Sequence, residues 1–133
     1  MSEKKTILYI EDNEYNRKIV RQLVGRTSYR LIEAIDGESG VALAQQELPN
    51  LILMDVQLPK MSGLDATRVL KADARTSHIP IIVITSFALS GDREKAAEAG
   101  ATSYLAKPYS PRELLALVRQ YLPEADNQSE VTR

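Results

Sequence analysis

The sequence predicts an α/β fold, a parallel five-stranded sheet covered by helices on both faces. Three observations predict it. Five apolar runs rich in strand-forming residues recur along the 133 residues. Segments of helical character alternate with them, the order that builds parallel βα units. Three of the five runs are nearly continuous in Ile, Leu, Val or Met, as strands buried on both faces are.

TILYI (6–10) is the first predicted strand. Residues 14–26 follow as a helix, with Tyr15, Ile19, Val20 and Leu23 at helical spacing. YRLIEA (29–34) is the second strand, and 37–47 the second helix, carrying Val41, Leu43 and Ala44. LILM (51–54) is the third strand. The loop Lys60-Met61-Ser62-Gly63 then turns tightly, with Gly63 expected to supply permissive dihedrals. Residues 64–74 form the third helix, with Leu64, Thr67, Val69 and Leu70. IIVIT (81–85) is the fourth strand. Residues 90–99, rich in Ala, Glu and Lys, form a helix ending at Gly100, a C′ glycine. Its alanine and charge predict weak docking and an easily shifted element. SYLA (103–106) is the fifth strand. The last helix has the clearest start: an N-cap serine, a first-turn proline and a capping-box glutamate in Ser110-Pro111-Arg112-Glu113. Leu114, Leu115, Val118, Tyr121 and Leu122 make its apolar stripe. One domain is expected over 1–123, with a flexible polar tail over 124–133.

Composition excludes several classes. A net charge of −1 argues against a whole-domain nucleic-acid footprint. With no cysteine there is neither a disulfide framework nor thiolate chemistry, which fits a reducing cytosol. The start, MSEKKT, lacks the apolar core of a signal peptide, and no run approaches the roughly 18 residues of a membrane span. A cytoplasmic protein is expected. The single histidine, His78, precedes the fourth strand and is expected to face solvent, which with the absence of cysteine argues against a zinc site of the usual ligands.

In parallel sheets sites form beyond the carboxyl ends of the strands. Here the first strand ends in Glu11-Asp12, the third in Asp55 and the fourth in Thr85-Ser86, while Lys107-Pro108 follows the fifth. Taken singly, each has a plain structural explanation. Asp12 can cap a helix, Asp55 can start a turn, Thr85 suits a strand and Lys107 can be a solvated loop lysine. Together on four strand ends they place three carboxylates, hydroxyls and one ammonium at one edge. Crowded carboxylates raise a pKa unless a cation intervenes. Magnesium suits oxygen ligands and keeps several waters. A divalent ion and Lys107 would neutralise the three carboxylates, leaving a site able to receive an anion at the metal.

These motifs resemble the receiver domain of bacterial two-component response regulators. The resemblance covers essentially residues 4–122 and rests on EDN (11–13), LILMDVQLPKMSGLD (51–65), ITS (84–86) and YLAKP (104–108). The separations match too: 43 residues from Asp12 to Asp55, 30 from Asp55 to Thr85 and 22 from Thr85 to Lys107. SGDREKAAEAGATSYLAKP reads closest to the stand-alone regulators of the cell-cycle and adaptor type. The alternative is a receiver excised from a larger hybrid kinase or multidomain regulator.

The resemblance implies a flavodoxin-like strand order 2-1-3-4-5 and a phosphoacceptor at Asp55. A histidine kinase or histidine phosphotransfer protein would supply the phosphoryl group. Mg²⁺ would sit on Asp12, Asp55 and the backbone carbonyl of Gln57, and on Glu11 through water. Lys107 would pair first with Asp55 and then with the phosphoryl oxygens. Thr85 would bond a phosphoryl oxygen, and Tyr104 would swing inward as Thr85 moves. Helix 4, strand 5 and helix 5 would form the switched surface for a downstream protein, with weak homodimerisation there left open. The resemblance also implies a cis Lys107–Pro108 bond. The protein would be no general enzyme, catalysing only its own phosphorylation and dephosphorylation. No direct nucleic-acid or membrane partner is implied.

Two positions depart from or elaborate the pattern. Glu11 stands where aspartate is commoner. Phe87, two residues beyond Thr85, would either flank the path of hydrolytic water and shield the acyl phosphate or simply pack against helix 4. Rival readings fit less well. An aspartyl phosphatase would carry an acid at position 57, where this chain has Gln57. A nucleotide or flavin binder would have a glycine- or hydroxyl-rich first turn, where this chain has EDNEYN. A pseudo-receiver would lack the acceptor, lysine or threonine.

Overall fold

The computed structural model describes residues 4–86 and 92–123. The order is β1 (Thr6–Ile10), α1 (Glu14–Val24), β2 (Arg30–Ala34), α2 (Gly37–Glu47), β3 (Leu51–Asp55), α3 (Gly63–Ala72), β4 (Ile81–Thr85), α4 (Asp92–Ala99), β5 (Ser103–Ala106) and α5 (Pro111–Tyr121). All strand pairs are parallel, and the sheet order is β2-β1-β3-β4-β5, as expected. Phe87, the start expected for helix 4 at residue 90 and the 124–133 tail lie outside the described residues.

Alternate residues of the central strands feed two cores. Ile7, Tyr9, Leu51, Leu53, Ile82 and Ile84 pack with Val20 and Val24 of α1 and with Leu114 and Val118 of α5. Leu8, Ile10, Ile52, Met54, Ile81 and Val83 pack with Ala44 of α2, Ala66 and Leu70 of α3, and Ala96 of α4. This period-2 division explains why the three central strands show no apolar–polar alternation: both of their faces are interior. Among its described side chains, helix α4 buries Ala96 and Ala99 against its neighbours.

Helix ends follow local chemistry. Asn13, not Asp12, caps α1, its side chain accepting the Asn16 N–H at 2.8 Å. α1 ends at Val24, two residues short of the expected end, because Thr27 turns back to bond the Val24 carbonyl through both its N–H and its hydroxyl. Asp73 stops α3 short of residue 74 by accepting the Arg75 N–H at 2.8 Å, which closes a turn. The predicted capping box at Ser110 and Glu113 is present on α5. Gly100 has the positive φ, +102°, expected of a C′ glycine.

Gly63 corrects the sequence reading. In the loop before α3 the positive φ belongs to Lys60, at 70°. Gly63 is required by close approach instead: a Cβ there would stand 2.0 Å from the Asp55 carbonyl oxygen and 2.9 Å from the Val56 Cα. Its N–H donates to the Val56 carbonyl at 2.9 Å. The start of α3 is therefore pressed against the end of β3.

Candidate functional site

The carboxyl ends of β1, β3, β4 and β5 converge at one edge. The parallel register puts Ile10 beside Met54, Asp55 beside Ile84 and Thr85 beside Ala106. Backbone bonds continue this ladder one step past the strands, from Glu11 N–H to the Ala34 carbonyl and from Lys107 N–H to the Thr85 carbonyl. The residues that leave the sheet here, Glu11, Asp55, Thr85 and Lys107, are thus held by ladder bonds at or next to their own backbones.

Asp55 is 3% exposed and Glu11 2% exposed. The Lys107 ammonium lies 3.0 Å from Asp55 Oδ2 and 3.3 Å from Glu11 Oε1, bridging the two. Asp55 Oδ1 accepts the Gln57 N–H at 2.8 Å. Glu11 Oε2 accepts the Asn13 N–H at 3.1 Å, and Oε1 accepts the Asn16 side-chain amide at 3.4 Å and the Tyr9 hydroxyl at 3.2 Å. The Arg17 guanidinium donates to the Glu11 carbonyl at 2.9 Å. Arg17 also pairs with Glu14 and Glu33, locking α1 to β2 beside the site.

The electrostatics follow from this packing. Burial, and then the hydrogen bond and charge of Asp55, push the Glu11 carboxyl above its usual range, against the Asn13 N–H and Lys107. Burial opposes the charge on Lys107, but the bonds and charges of Asp55 and Glu11 outweigh it and raise the amine. One lysine thus faces two mutually repelling buried carboxylates, and a further cation would relieve them.

Two of the three expected acids meet in the pocket. Asp12 is exposed, and among the described residues no three acidic or histidine side chains form a metal cage. Glu11 and Asp55 are the acids buried together beside Lys107. The donor set still suits magnesium: hard oxygens, two of them buried and charged, with an open side for water. Thr85 is buried, 2% exposed, at the end of β4. Gln57 is exposed, as is His78, and Tyr104 is half-buried on β5. The Arg93 guanidinium of α4 lies 5.2 Å from the centre of the Tyr104 ring, a cation–π contact joining β5 to α4. The Lys107–Pro108 bond is cis, as expected.

Sequence reasoning missed Tyr9, Asn16 and Arg17, all bonded to Glu11. For Tyr9 a signal existed. It stands two residues before Glu11, and side chains two apart on a strand leave the same face.

Comparison with known proteins agrees with this geometry. The response regulator receiver domain family matches residues 7–119. The polar-differentiation response regulator DivK of Brucella anthropi is 40% identical over 121 residues, 91% of this chain and 98% of its own. Among solved structures, the receiver domain of sensor histidine kinase PA1611 from Pseudomonas aeruginosa superposes with a TM-score of 0.84 at 34% identity, covering 92% of this chain and 100% of that one. That structure has a magnesium ion coordinated in its active-site cleft. A CheY-like receiver domain protein from Methanospirillum hungatei gives 0.84 at 26% identity, over 95% and 99% of the two chains. With five parallel strands in this order, a buried aspartate at the end of β3 and a lysine reaching it from β5, the chain belongs to the response regulator receiver domain family.

Proposed function

We propose that Asp55 accepts a phosphoryl group from the phosphohistidine of a histidine kinase or histidine phosphotransfer protein, and that the product switches a protein-binding surface. The observation that carries this is the setting of Asp55. It is a nearly buried carboxylate whose two oxygens are engaged by the Gln57 N–H and the Lys107 ammonium, with Glu11 beside it. A carboxylate oxygen attacks phosphorus as the P–N bond of the donor breaks, and the imidazole leaves with the bonding pair and takes up a proton. Phosphoryl transfer requires in-line placement and neutralisation of oxygens more than covalent help. Asp12, Asp55 and the Gln57 carbonyl would hold Mg²⁺ directly, and Glu11 through water. The bound ion supplies positive charge to the transferred group's oxygens. Lys107 changes partner from the Asp55 carboxylate to a phosphoryl oxygen, and Thr85 donates its hydroxyl to another. The activity is confined to the protein's own phosphorylation and hydrolysis.

Output is assigned to Thr85, Tyr104 and the surface of α4, β5 and α5. The weak docking of α4 through Ala96 and Ala99, and the Arg93–Tyr104 contact, support coupling between that helix and β5. The target is a protein. Among the described residues no helix is long and apolar enough to cross a membrane, and the cysteine-free sequence suits the cytoplasm.

The test is incubation with a small phosphodonor such as phosphoramidate and Mg²⁺, read by intact mass. The expected result is one added phosphoryl group on the native protein and none on Asp55→Asn. A native protein that stays unmodified refutes the reading.

A further inference from the structure

Tyr9 lies in the middle of β1 and is fully buried. All five residues of that strand are buried, and Ile7, Leu8 and Ile10 are aliphatic. An aliphatic side chain would complete this core without a hydroxyl to satisfy, since a buried polar group needs a partner. The Tyr9 hydroxyl finds one in Glu11 Oε1, 3.2 Å away. Above Glu11 and Lys107, Tyr109 of the loop after β5 lines a cavity of about 480 Å³ with Asn16, Ser86 and Lys107.

Glu11 is the residue that needs such support. It has one more rotatable bond than the aspartate commoner at its position, so its carboxylate has more orientations to choose from. Lys107 pulls Oε1 toward Asp55, the Asn13 N–H holds Oε2, and Tyr9 grips Oε1 from within the core. The phenol is the one member of this set that belongs to the rigid interior of the sheet.

We propose that Tyr9 is a positioning residue for metal binding: its hydroxyl fixes the Glu11 carboxylate beside Asp55. The inference rests on the reading that Mg²⁺ binds at Asp55 and Asp12. Partners that orient a metal's ligands are typically worth about 10–100-fold in affinity. Glu11 retains three other donors when the phenol is lost, so the effect falls at the lower end, about tenfold.

The experiment is a double-mutant cycle. Mg²⁺ is titrated calorimetrically into the native protein, Tyr9→Phe, Glu11→Asp and the double variant, with folding checked by thermal melts in chelator. Glu11→Asp withdraws the carboxylate from the phenol by one methylene. Tyr9→Phe is expected to raise the Kd for Mg²⁺ about tenfold in the native background, and to change it by less than about twofold in the Glu11→Asp background. Equal losses in both backgrounds, or no loss on Tyr9→Phe in the native background, overturn the proposal while leaving the metal site standing. A native protein that shows no Mg²⁺ binding overturns the site reading itself, and this proposal with it.

Discussion

Replacing Gly63 with alanine tests whether α3 sets the position of the acceptor strand. In a helix, Gly→Ala ordinarily stabilises by up to about 1 kcal/mol. Here the new Cβ would lie 2.0 Å from the Asp55 carbonyl oxygen and 2.8 Å from its carbonyl carbon. Ordinary contact begins at 3.4 Å, so the oxygen and the new methyl must separate by more than 1 Å. Both sides of the clash are backbone, which cannot rotate away as a side chain can. Overpacking of this kind costs about 1–3 kcal/mol and sometimes more. The propensity gain offsets the smaller part of it, leaving a net loss of about 2 kcal/mol. At about 2.1 cal/mol/K of unfolding entropy per residue, the 133-residue chain should melt about 7 °C lower. The movement falls on Asp55 itself, and a misplacement of about 1 Å can cost about 100-fold in rate. Thermal melts and the rate of phosphoryl uptake from phosphoramidate read the two effects. A variant melting within about 2 °C of the native protein, and phosphorylated within about twofold of its rate, refutes the reasoning.

Two further outcomes test the frame around the site. The Arg75 side chain and N–H hold the Asp73 carboxyl at about 2, below its ordinary 3.8. A lowered folded pKa gives stability that is present above the unfolded value and is lost as pH falls through the folded one. The native protein should therefore lose melting temperature more steeply than Asp73→Asn between about pH 4 and 2, and parallel curves in that window would contradict the pairing. Ser110→Ala removes the acceptor for the Glu113 N–H in the capping box of α5. It should cost about 1 kcal/mol, or about 4 °C in the melt, and Ser110→Asp should restore most of that; no loss on Ser110→Ala would show the cap to be idle.

What was legible in the sequence is what chain order and local chemistry determine. IIVIT and LILM announce buried parallel strands because both of their faces are interior, and β4 spans the predicted residues while β3 runs on one further, to Asp55. Ser110-Pro111-Arg112-Glu113 announces a helix start because the cap is made within four residues. Residues at strand ends reach one edge whenever the strands are parallel, so Asp55, Thr85 and Lys107 could be grouped without coordinates. Less legible were contacts between segments distant in the chain. Gly63 looked like a turn glycine, and only the packing of α3 on β3 shows that its missing side chain is what matters. Asp12 and Glu11 are neighbours in sequence, yet the bend into α1 exposes one and buries the other.

Tyr9 shows why the remaining part was hidden. In a hydropathy pattern a tyrosine inside TILYI counts as one more large strand residue, and its ring does fill the core with Val20, Leu114 and Val118. Its hydroxyl becomes informative only when the next residue on the same face is an acid at a strand end. The period of two that conceals Tyr9 in the apolar run is also what aims it at Glu11. The buried carboxylate pair needs orientation from somewhere other than solvent, because water is excluded from its inner side. The sheet interior supplies it through one phenol, and the long-range lysine supplies charge from the opposite edge of the pocket. Rigid support thus comes from β1 and its core. The exchangeable contact is that of Lys107 with the two carboxylates, for which an incoming phosphoryl group and ion would compete.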